Sequence, residues 1–152
     1  MKTTEDKKTS KTEEKHNAVK EKSFALAVRV VKLYRYLAKE KNEYTISKQL
    51  LRSGTNPGAM VREAQNAESD ADFVHKLGIA QKETDETMYW LELLYAAEVL
   101  SETEFTSLHK DAEEVLKLLR SIILSKKANM LKSKLAAVIT VLIVAWSIFQ
   151  LI

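Results

Sequence analysis

Apolar residues recur every three or four positions in four stretches of the chain, roughly residues 16–41, 46–64, 69–100 and 101–123. This spacing places the apolar side chains of each stretch on one side of an α-helix. Short polar segments separate the stretches, and the alternation of apolar and polar residues that is typical of a strand does not occur. The pattern predicts an all-α protein, an antiparallel up-down four-helix bundle over residues 18–125.

Three of the predicted helices begin at residues that commonly stabilise a helix start. Thr45 is the predicted N-cap of the second helix and Ser69 that of the third, because Ser and Thr accept hydrogen bonds from the first free N–H groups. Ser101 and Glu104 have the spacing of a capping box, which predicts the start of the fourth helix.

The second stretch contains a conflict between local and periodic signals. The Gly, Asn and Pro residues between Ser53 and Gly58 are typical of a turn, and a proline inside a helix costs about 3 kcal/mol. The helical spacing nevertheless continues without interruption from Ile46 to Ala64. The residues alone leave a turn and a kinked helix as alternatives.

The apolar positions of the first helix cover about 220° of its circumference, whereas one core contact needs about 100–140°. The excess predicts a second contact, most simply with a neighbouring subunit of a homo-oligomer. Large aromatic side chains commonly anchor contacts between subunits, so we add the tryptophan of the third helix to the interface candidates. The candidate interface residues are Leu26, Val30, Leu33 and Trp90.

The two ends of the chain differ from its middle. Residues 1–17 are polar and without periodicity, which predicts a disordered tail, and they lack the apolar core of a secretory signal peptide. Residues 126–134 contain lysines and no acidic residue, and we interpret them as a basic linker. Residues 135–152 contain no charged residue and predict an additional hydrophobic helix.

As a helix, the uncharged C-terminal segment is about 27 Å long, close to the ~30 Å hydrocarbon core of a bilayer. It predicts a membrane anchor, and the lysines before it would keep the bundle on the cytoplasmic side of the inner membrane. Two alternatives remain, namely a helix packed in the core of an oligomer and a non-native extension from a fusion or read-through.

The formal net charge of +3 conceals a middle region, residues 23–124, in which thirteen Lys and Arg face sixteen Asp and Glu. The basic pI therefore does not by itself indicate nucleic-acid binding. A narrower candidate is a basic face of the first helix, extended by the second, which either binds phosphates or is solvated or paired with acidic residues. The candidate residues for RNA or DNA binding are Arg29, Lys32, Arg35, Lys39, Lys48 and Arg52.

Arg52 has a second interpretation, because a buried ion pair with Glu63 or Glu83 would also explain an arginine in the second helix.

The residues give no indication of an enzyme or of a cofactor. The chain contains no cysteine, which excludes disulfides, thiolate metal sites and a Cys nucleophile. A two-metal site in a bundle needs Glu-x-x-His on two helices, and the nearest match, Asp72 and His75, has no counterpart. We therefore expect neither a metal nor catalysis, and a carboxylate-bridged metal enzyme is the least favoured hypothesis.

Several short motifs between residues 49 and 94 resemble a bacterial family, the four-helix-bundle proteins encoded in intervening sequences of large-subunit ribosomal RNA genes. The likeness covers about residues 24–124. The motifs are Gln49-Leu50-Leu51-Arg52-Ser53-Gly54-Thr55, Arg62-Glu63-Ala64, Asp72-Phe73, Lys76-Leu77, Ile79-Ala80, Lys82-Glu83, Glu86-Thr87 and Tyr89-Trp90-Leu91-Glu92-Leu93-Leu94.

The resemblance implies an up-down bundle that assembles as a homo-oligomer, often a ring-shaped pentamer. In the branch that serves diversity-generating retroelements, it also implies binding to a reverse transcriptase and to nucleic acid through a basic surface. The family's second helix runs through the Arg-Ser-Gly segment, which favours the kinked helix over the turn. We therefore predict a non-enzymatic accessory protein of this kind; the alternative is a membrane-tethered scaffold that does not bind nucleic acid.

Overall fold

The computed structural model describes the backbone of residues 4–150, with side chains from residue 13 onward except that of residue 149. Four helices follow one another, α1 (Thr4–Glu40), α2 (Thr45–Ala64), α3 (Asp70–Ala96) and α4 (Glu102–Phe149). Each helix packs against two others, so that α1, α2, α3 and α4 form a ring in chain order, and the described backbone contains no strand. The predicted all-α four-helix bundle is confirmed.

The core of the bundle is formed by branched aliphatic side chains from all four helices. Leu26 and Val30 of α1 are fully buried, as are Leu50 of α2, Leu91 of α3 and Leu119 of α4. The core extends along the chain from Val19 to Ile123.

Three of the predicted interface residues belong to this core instead. Leu26 and Val30 have no exposed surface, and Leu33 is only 7% exposed. The prediction that they contact another subunit is wrong, because the width of the apolar arc on α1 does not reveal which of its positions face the chain's own core.

The segment with conflicting signals is helical, because α2 continues through Pro57. Its close packing against α1 explains the small residues. A Cβ atom on Gly54 would lie 2.7 Å from Cγ2 of Val30, and one on Gly58 would lie 3.4 Å from the carbonyl oxygen of Ser23. The helical interpretation is confirmed, and the glycines there serve a helix crossing rather than a turn.

The starts of α3 and α4 agree with the sequence, and that of α2 does not. The Ser69 hydroxyl accepts a hydrogen bond from the backbone N–H of Asp72, and Ser101 and Glu104 form the predicted capping box. Thr45 is the first residue of α2 rather than its N-cap. Its role is taken by the Glu43 carboxylate.

That carboxylate accepts hydrogen bonds from the backbone N–H groups of Thr45, Ile46 and Ser47 at 2.9, 2.8 and 2.6 Å.

The described helical backbone extends into both end segments of the chain. α1 begins at Thr4, within the segment of residues 1–17 that was predicted to be a disordered tail. Residues 1–3 of that segment and residues 151–152 lie outside the described residues. Residues 126–134 are not a linker, since α4 passes through them without a break.

Candidate functional site

Arg29, the first residue of the predicted basic face, is held by α4. Its guanidinium forms an ion pair with Asp111 and donates hydrogen bonds to the carbonyl oxygen and the hydroxyl of Ser107 at 3.2 and 2.8 Å. These contacts pair Arg29 with α4, and 37% of its side chain remains exposed.

The other three α1 residues of the predicted basic face are exposed to solvent. Lys32 and Arg35 are exposed, and Lys39 makes only a long contact, 3.6 Å, with the adjacent Glu40. They share the helix with exposed apolar side chains, of which Phe24 has 54% and Val28 38% of its surface exposed. We call this surface the α1 outer face; it comprises Phe24, Val28, Val31, Lys32, Arg35 and Lys39.

A shallow cleft of about 280 Å³ lies on the α1 outer face, lined by Phe24, Ala27, Val28, Val31, Lys32 and Arg35. The guanidinium of Arg62 from α2 lies 5.3 Å from the centre of the Phe24 ring, a cation–π distance. The wide apolar arc of α1 therefore has a side that the described residues of the chain leave partly exposed. Its members are Phe24, Val28 and Val31, which the sequence analysis did not select.

Arg52 forms a different ion pair from the two that the sequence suggested. Its Nη2 lies 2.8 Å from Oε1 of Glu86, which also accepts a hydrogen bond from Nε1 of Trp90 at 3.1 Å. The predicted pairing with Glu63 or Glu83 is wrong. Oε2 of Glu83 is buried and has no hydrogen-bond partner within the described part of the chain.

The other two candidate residues, Lys48 of α2 and Trp90 of α3, differ in how far they are exposed. Lys48 is exposed on α2. Trp90 is half-buried against the core and packs edge-on against Tyr89, with 4.9 Å between the ring centres. The Glu86 contact orients the indole, so that one edge of Trp90 remains at the surface of α3.

A cluster of side chains at the end of the bundle fixes the point where α4 leaves it. The His16 ring stacks on the Phe73 ring at 5.5 Å, and Nζ of Lys126 lies 5.6 Å from the centre of the same ring. Nζ of Lys126 also lies 2.6 Å from Oδ1 of Asp70. Burial, together with the charge of Lys126, lowers the pKa of His16 and favours its neutral form.

This junction could not be predicted from the sequence, because its residues come from three helices and follow no common spacing. Lys15, from the segment interpreted as a tail, also contributes, since its Nζ donates a hydrogen bond to the Ser121 hydroxyl at 2.7 Å.

Beyond the junction α4 projects away from the bundle. Every residue from Leu131 to Ile148 is exposed. An 18-residue window of this helix has a mean hydropathy of 1.8, none of it is buried, and the helix is long and apolar enough to cross a membrane. We call residues 131–149 the α4 extension.

Two hydroxyl groups in the apolar part of the α4 extension are hydrogen-bonded within the helix. The hydroxyls of Thr140 and Ser147 donate hydrogen bonds to the carbonyl oxygens of Ala136 and Ile143, each at 2.9 Å. Such a helix presents few unsatisfied polar groups to its surroundings, which is what a hydrocarbon environment requires.

The described residues contain no group of three or more His, Asp or Glu side chains that could hold a metal ion. Asp72, half of the nearest metal-binding pattern, is instead bonded to Lys76 at 2.6 Å and accepts a hydrogen bond from the backbone N–H of Glu68. The bond from Lys76 lowers the pKa of Asp72.

Comparison with known proteins places the bundle within a family. The family model described as "23S rRNA-intervening sequence protein" matches residues 15–121. A crystal structure from Bacteroides thetaiotaomicron, of a protein with unknown function from the S23 ribosomal protein family, is 52% identical in sequence with a TM-score of 0.71. The match covers 72% of this chain and 97% of that one.

None of the curated proteins matches the chain. The family match begins at Lys15, which bonds to α4, and ends before the α4 extension. The matched region therefore coincides with the packed bundle. The chain belongs to the 23S rRNA-intervening sequence protein family.

Proposed function

We propose that this protein is a membrane-tethered four-helix bundle without enzymatic activity, anchored by its C-terminal helix at the cytoplasmic side of the inner membrane. The observation that supports this most directly is the α4 extension, an apolar helix of which no part is buried. A helix that is apolar on all sides is unfavourable in water, because each exposed apolar side chain forgoes about 1.5–3 kcal/mol of burial free energy.

The distribution of charge supports an orientation with the bundle in the cytoplasm. Four lysines precede the apolar segment, and no acidic residue occurs after position 124. Lysines close to a membrane-spanning helix favour the cytoplasmic side.

The membrane anchor can be tested by replacing two isoleucines in the middle of the apolar segment with lysine. In I139K/I143K each charge opposes membrane insertion by about 2.5–3.5 kcal/mol. We expect the native protein to sediment with membranes and to resist alkaline carbonate, and the variant to appear in the soluble fraction. T103K/T106K adds the same two charges at exposed positions of the bundle and should leave the native distribution unchanged.

Native protein that remains soluble would refute the anchor. If that soluble protein were also a large assembly that I139K/I143K dissociates, the α4 extension would instead be a helix packed in an oligomer core.

We propose as a second function that the basic part of the α1 outer face binds RNA or DNA, as part of a complex with a reverse transcriptase. The observation that favours it is the exposure of Lys32, Arg35 and Lys39 over two turns of one helix, with Lys48 exposed on α2. Arg29 and Arg52 are excluded from this surface because carboxylates hold them. The proposal that a reverse transcriptase is the partner is supported only by the resemblance to retroelement accessory proteins.

Charge reversal separates this function from general electrostatic attraction. We expect affinity for RNA to fall steeply as salt is raised, and K32E/R35E/K39E to abolish binding. K82E/K110E/K117E reverses three exposed charges on α3 and α4 and should reduce affinity far less. Equal losses in the two variants, or no binding of native protein at low salt, would refute the proposal.

The apolar part of the same face supports assembly into a homo-oligomer, a pentamer by resemblance. Phe24 and Val28 are exposed one turn apart, and together with Val31 they form an apolar surface that the described residues leave partly exposed. F24D/V28D should convert the assembly into monomers in analytical ultracentrifugation, whereas Y36D, at another exposed position of α1, should not. Monomeric native protein would refute this assignment.

A further inference from the structure

We propose that three exposed lysines at the start of the α4 extension bind the headgroups of anionic phospholipids where the helix enters the bilayer. We call Lys127, Lys132 and Lys134 the lysine collar; all three are exposed. The inference rests on the proposed membrane anchor and adds to it a class of ligand, a lipid with a negatively charged headgroup.

Position along the helix brings the collar to the headgroup layer. Because α4 is unbroken through this region, each residue adds about 1.5 Å along a single axis. Lys134 immediately precedes the apolar segment, and Lys132 and Lys127 lie about 5 and 12 Å before it. The headgroup region on each side of a bilayer is about 5–8 Å thick, so the backbone of Lys132 and Lys134 lies within it. The backbone of Lys127 lies about 4–7 Å outside it, a distance that a flexible lysine side chain can span.

The lysines of the collar are distributed around the helix axis. At about 100° per residue, Lys127 and Lys134 lie within about 20° of each other and Lys132 lies on the opposite side. Lipids that approach the helix from either side therefore meet an ammonium group.

Two acidic residues of the bundle beside the junction are paired with other cations. Asp70 is paired with Lys126, and Asp72 is bonded to Lys76. Lys126 is consequently not a member of the collar, although it is adjacent to Lys127 in sequence. No acidic residue follows position 124.

Other lysines are too far away to contribute. Lys39, Lys41 and Lys48 lie at the opposite end of the bundle, beside the start of α4, and are exposed. About 45 Å of helix separates that end from Lys134, several times the ~8–10 Å over which salt screens a charge. These three lysines provide a control of equal charge.

The cysteine-free chain allows a single probe beside the collar. Full-length protein carrying a fluorophore on A128C, an exposed position of the helix, is reconstituted in phosphatidylcholine nanodiscs. The nanodiscs contain a trace of acyl-labelled phosphatidylglycerol or, in parallel, of acyl-labelled phosphatidylcholine. Energy transfer to the two tracers reports the local enrichment of each lipid.

We expect the anionic tracer to be enriched over the neutral one by at least about fivefold, which is the attraction of a single lysine near the surface. The enrichment should fall with added salt. K127Q/K132Q/K134Q should abolish it, K127R/K132R/K134R should retain it, and K39Q/K41Q/K48Q should leave it unchanged. Equal transfer to both tracers, or enrichment that survives removal of the collar, would overturn the inference.

Protein that fails to enter the nanodiscs would overturn the anchor itself, whereas protein that enters without lipid preference would overturn only the collar.

Discussion

The two parts of α4 are one continuous helix in two environments. From Glu102 to Ile123 its buried side chains Leu108, Val115 and Leu119 alternate with charged residues that face solvent. From residue 131 onward apolar side chains occur all round the helix, and every described side chain is exposed.

The comparison shows that continuity of the backbone and the environment of the side chains are determined by different features of the sequence. All three glycines and the one proline lie before α4, so no helix-breaking residue interrupts it. Charges on one face make the first part suitable for a bundle in water, and their absence makes the second part suitable for an apolar surrounding.

The largest difference between the two parts should appear when a leucine is truncated in each. L119A removes a fully buried side chain and should lower the free energy of unfolding by about 2–5 kcal/mol. L142A truncates a side chain with 62% of its surface exposed, and we expect a change below about 0.5 kcal/mol. Urea unfolding in a mild detergent, followed by near-ultraviolet circular dichroism, compares the two.

A comparable loss in L142A would mean that the α4 extension packs on the bundle or on another copy of the chain.

Packed and open positions can also be compared within the bundle at two helical glycines. A Cβ atom on Gly54 would lie 2.7 Å from Val30, whereas one on Gly78 would have nothing within 4 Å. G54A should therefore destabilise the bundle by about 1–3 kcal/mol through overpacking. G78A should stabilise it by about 0.5–1 kcal/mol, because alanine favours the helix.

The same urea titration measures both glycine variants. Stabilisation by G54A would contradict the close crossing of α1 and α2.

The architecture of the bundle was predictable because periodicity and helix caps are local properties. Helical spacing predicted four helices, and Ser69 and the Ser101–Glu104 pair predicted two helix starts correctly. The continuation of α2 through Pro57 was not decided by the residues alone, and the resemblance to the family favoured it over the local turn signal.

The candidate site was harder to predict because it depends on how the helices are placed around one another. An arc of 220° on α1 did not indicate which residues faced outward, so the buried Leu26 was selected as a candidate and the exposed Phe24 was not. Arg29 lies at the edge of the basic face, and only the position of Asp111 on α4 decides that it is paired. The boundary at residue 126 was placed at a change of polarity, which alters the environment of a helix without ending it.

The start of α4 and the region where it leaves the bundle provide a smaller contrast. S101A removes the hydroxyl that accepts from the N–H of Glu104 and should cost about 1 kcal/mol of stability. S133A, at an exposed serine within the same helix, should have no destabilising effect, because alanine is the better helix former. Thermal unfolding measures both, and equal losses would contradict a specific role for the cap.

The smallest expected effect is a difference in the response to acid between the helix starts of the bundle and the α4 extension. Hydrogen bonds from the Ser101 hydroxyl and N–H hold the pKa of Glu104 below its usual value. Burial acts in the opposite direction on Glu43 as the largest single influence, but the hydrogen bonds from Ile46, Ser47 and Thr45 together lower its pKa.

Each carboxylate therefore contributes stability that is fully present above the unfolded-state pKa of about 4.3 and is lost as the pH falls through the lower folded-state value. The difference in melting temperature between the native protein and E43Q/E104Q should be constant from pH 7 to about pH 5 and shrink toward pH 3, and it should correspond to less than about 1 kcal/mol. Since no acidic residue follows position 124, circular dichroism in detergent at pH 3 should retain the helix of the α4 extension. A difference that grows with acidity would mean that protonated forms of Glu43 and Glu104 stabilise the helix starts, which contradicts the hydrogen bonds they accept.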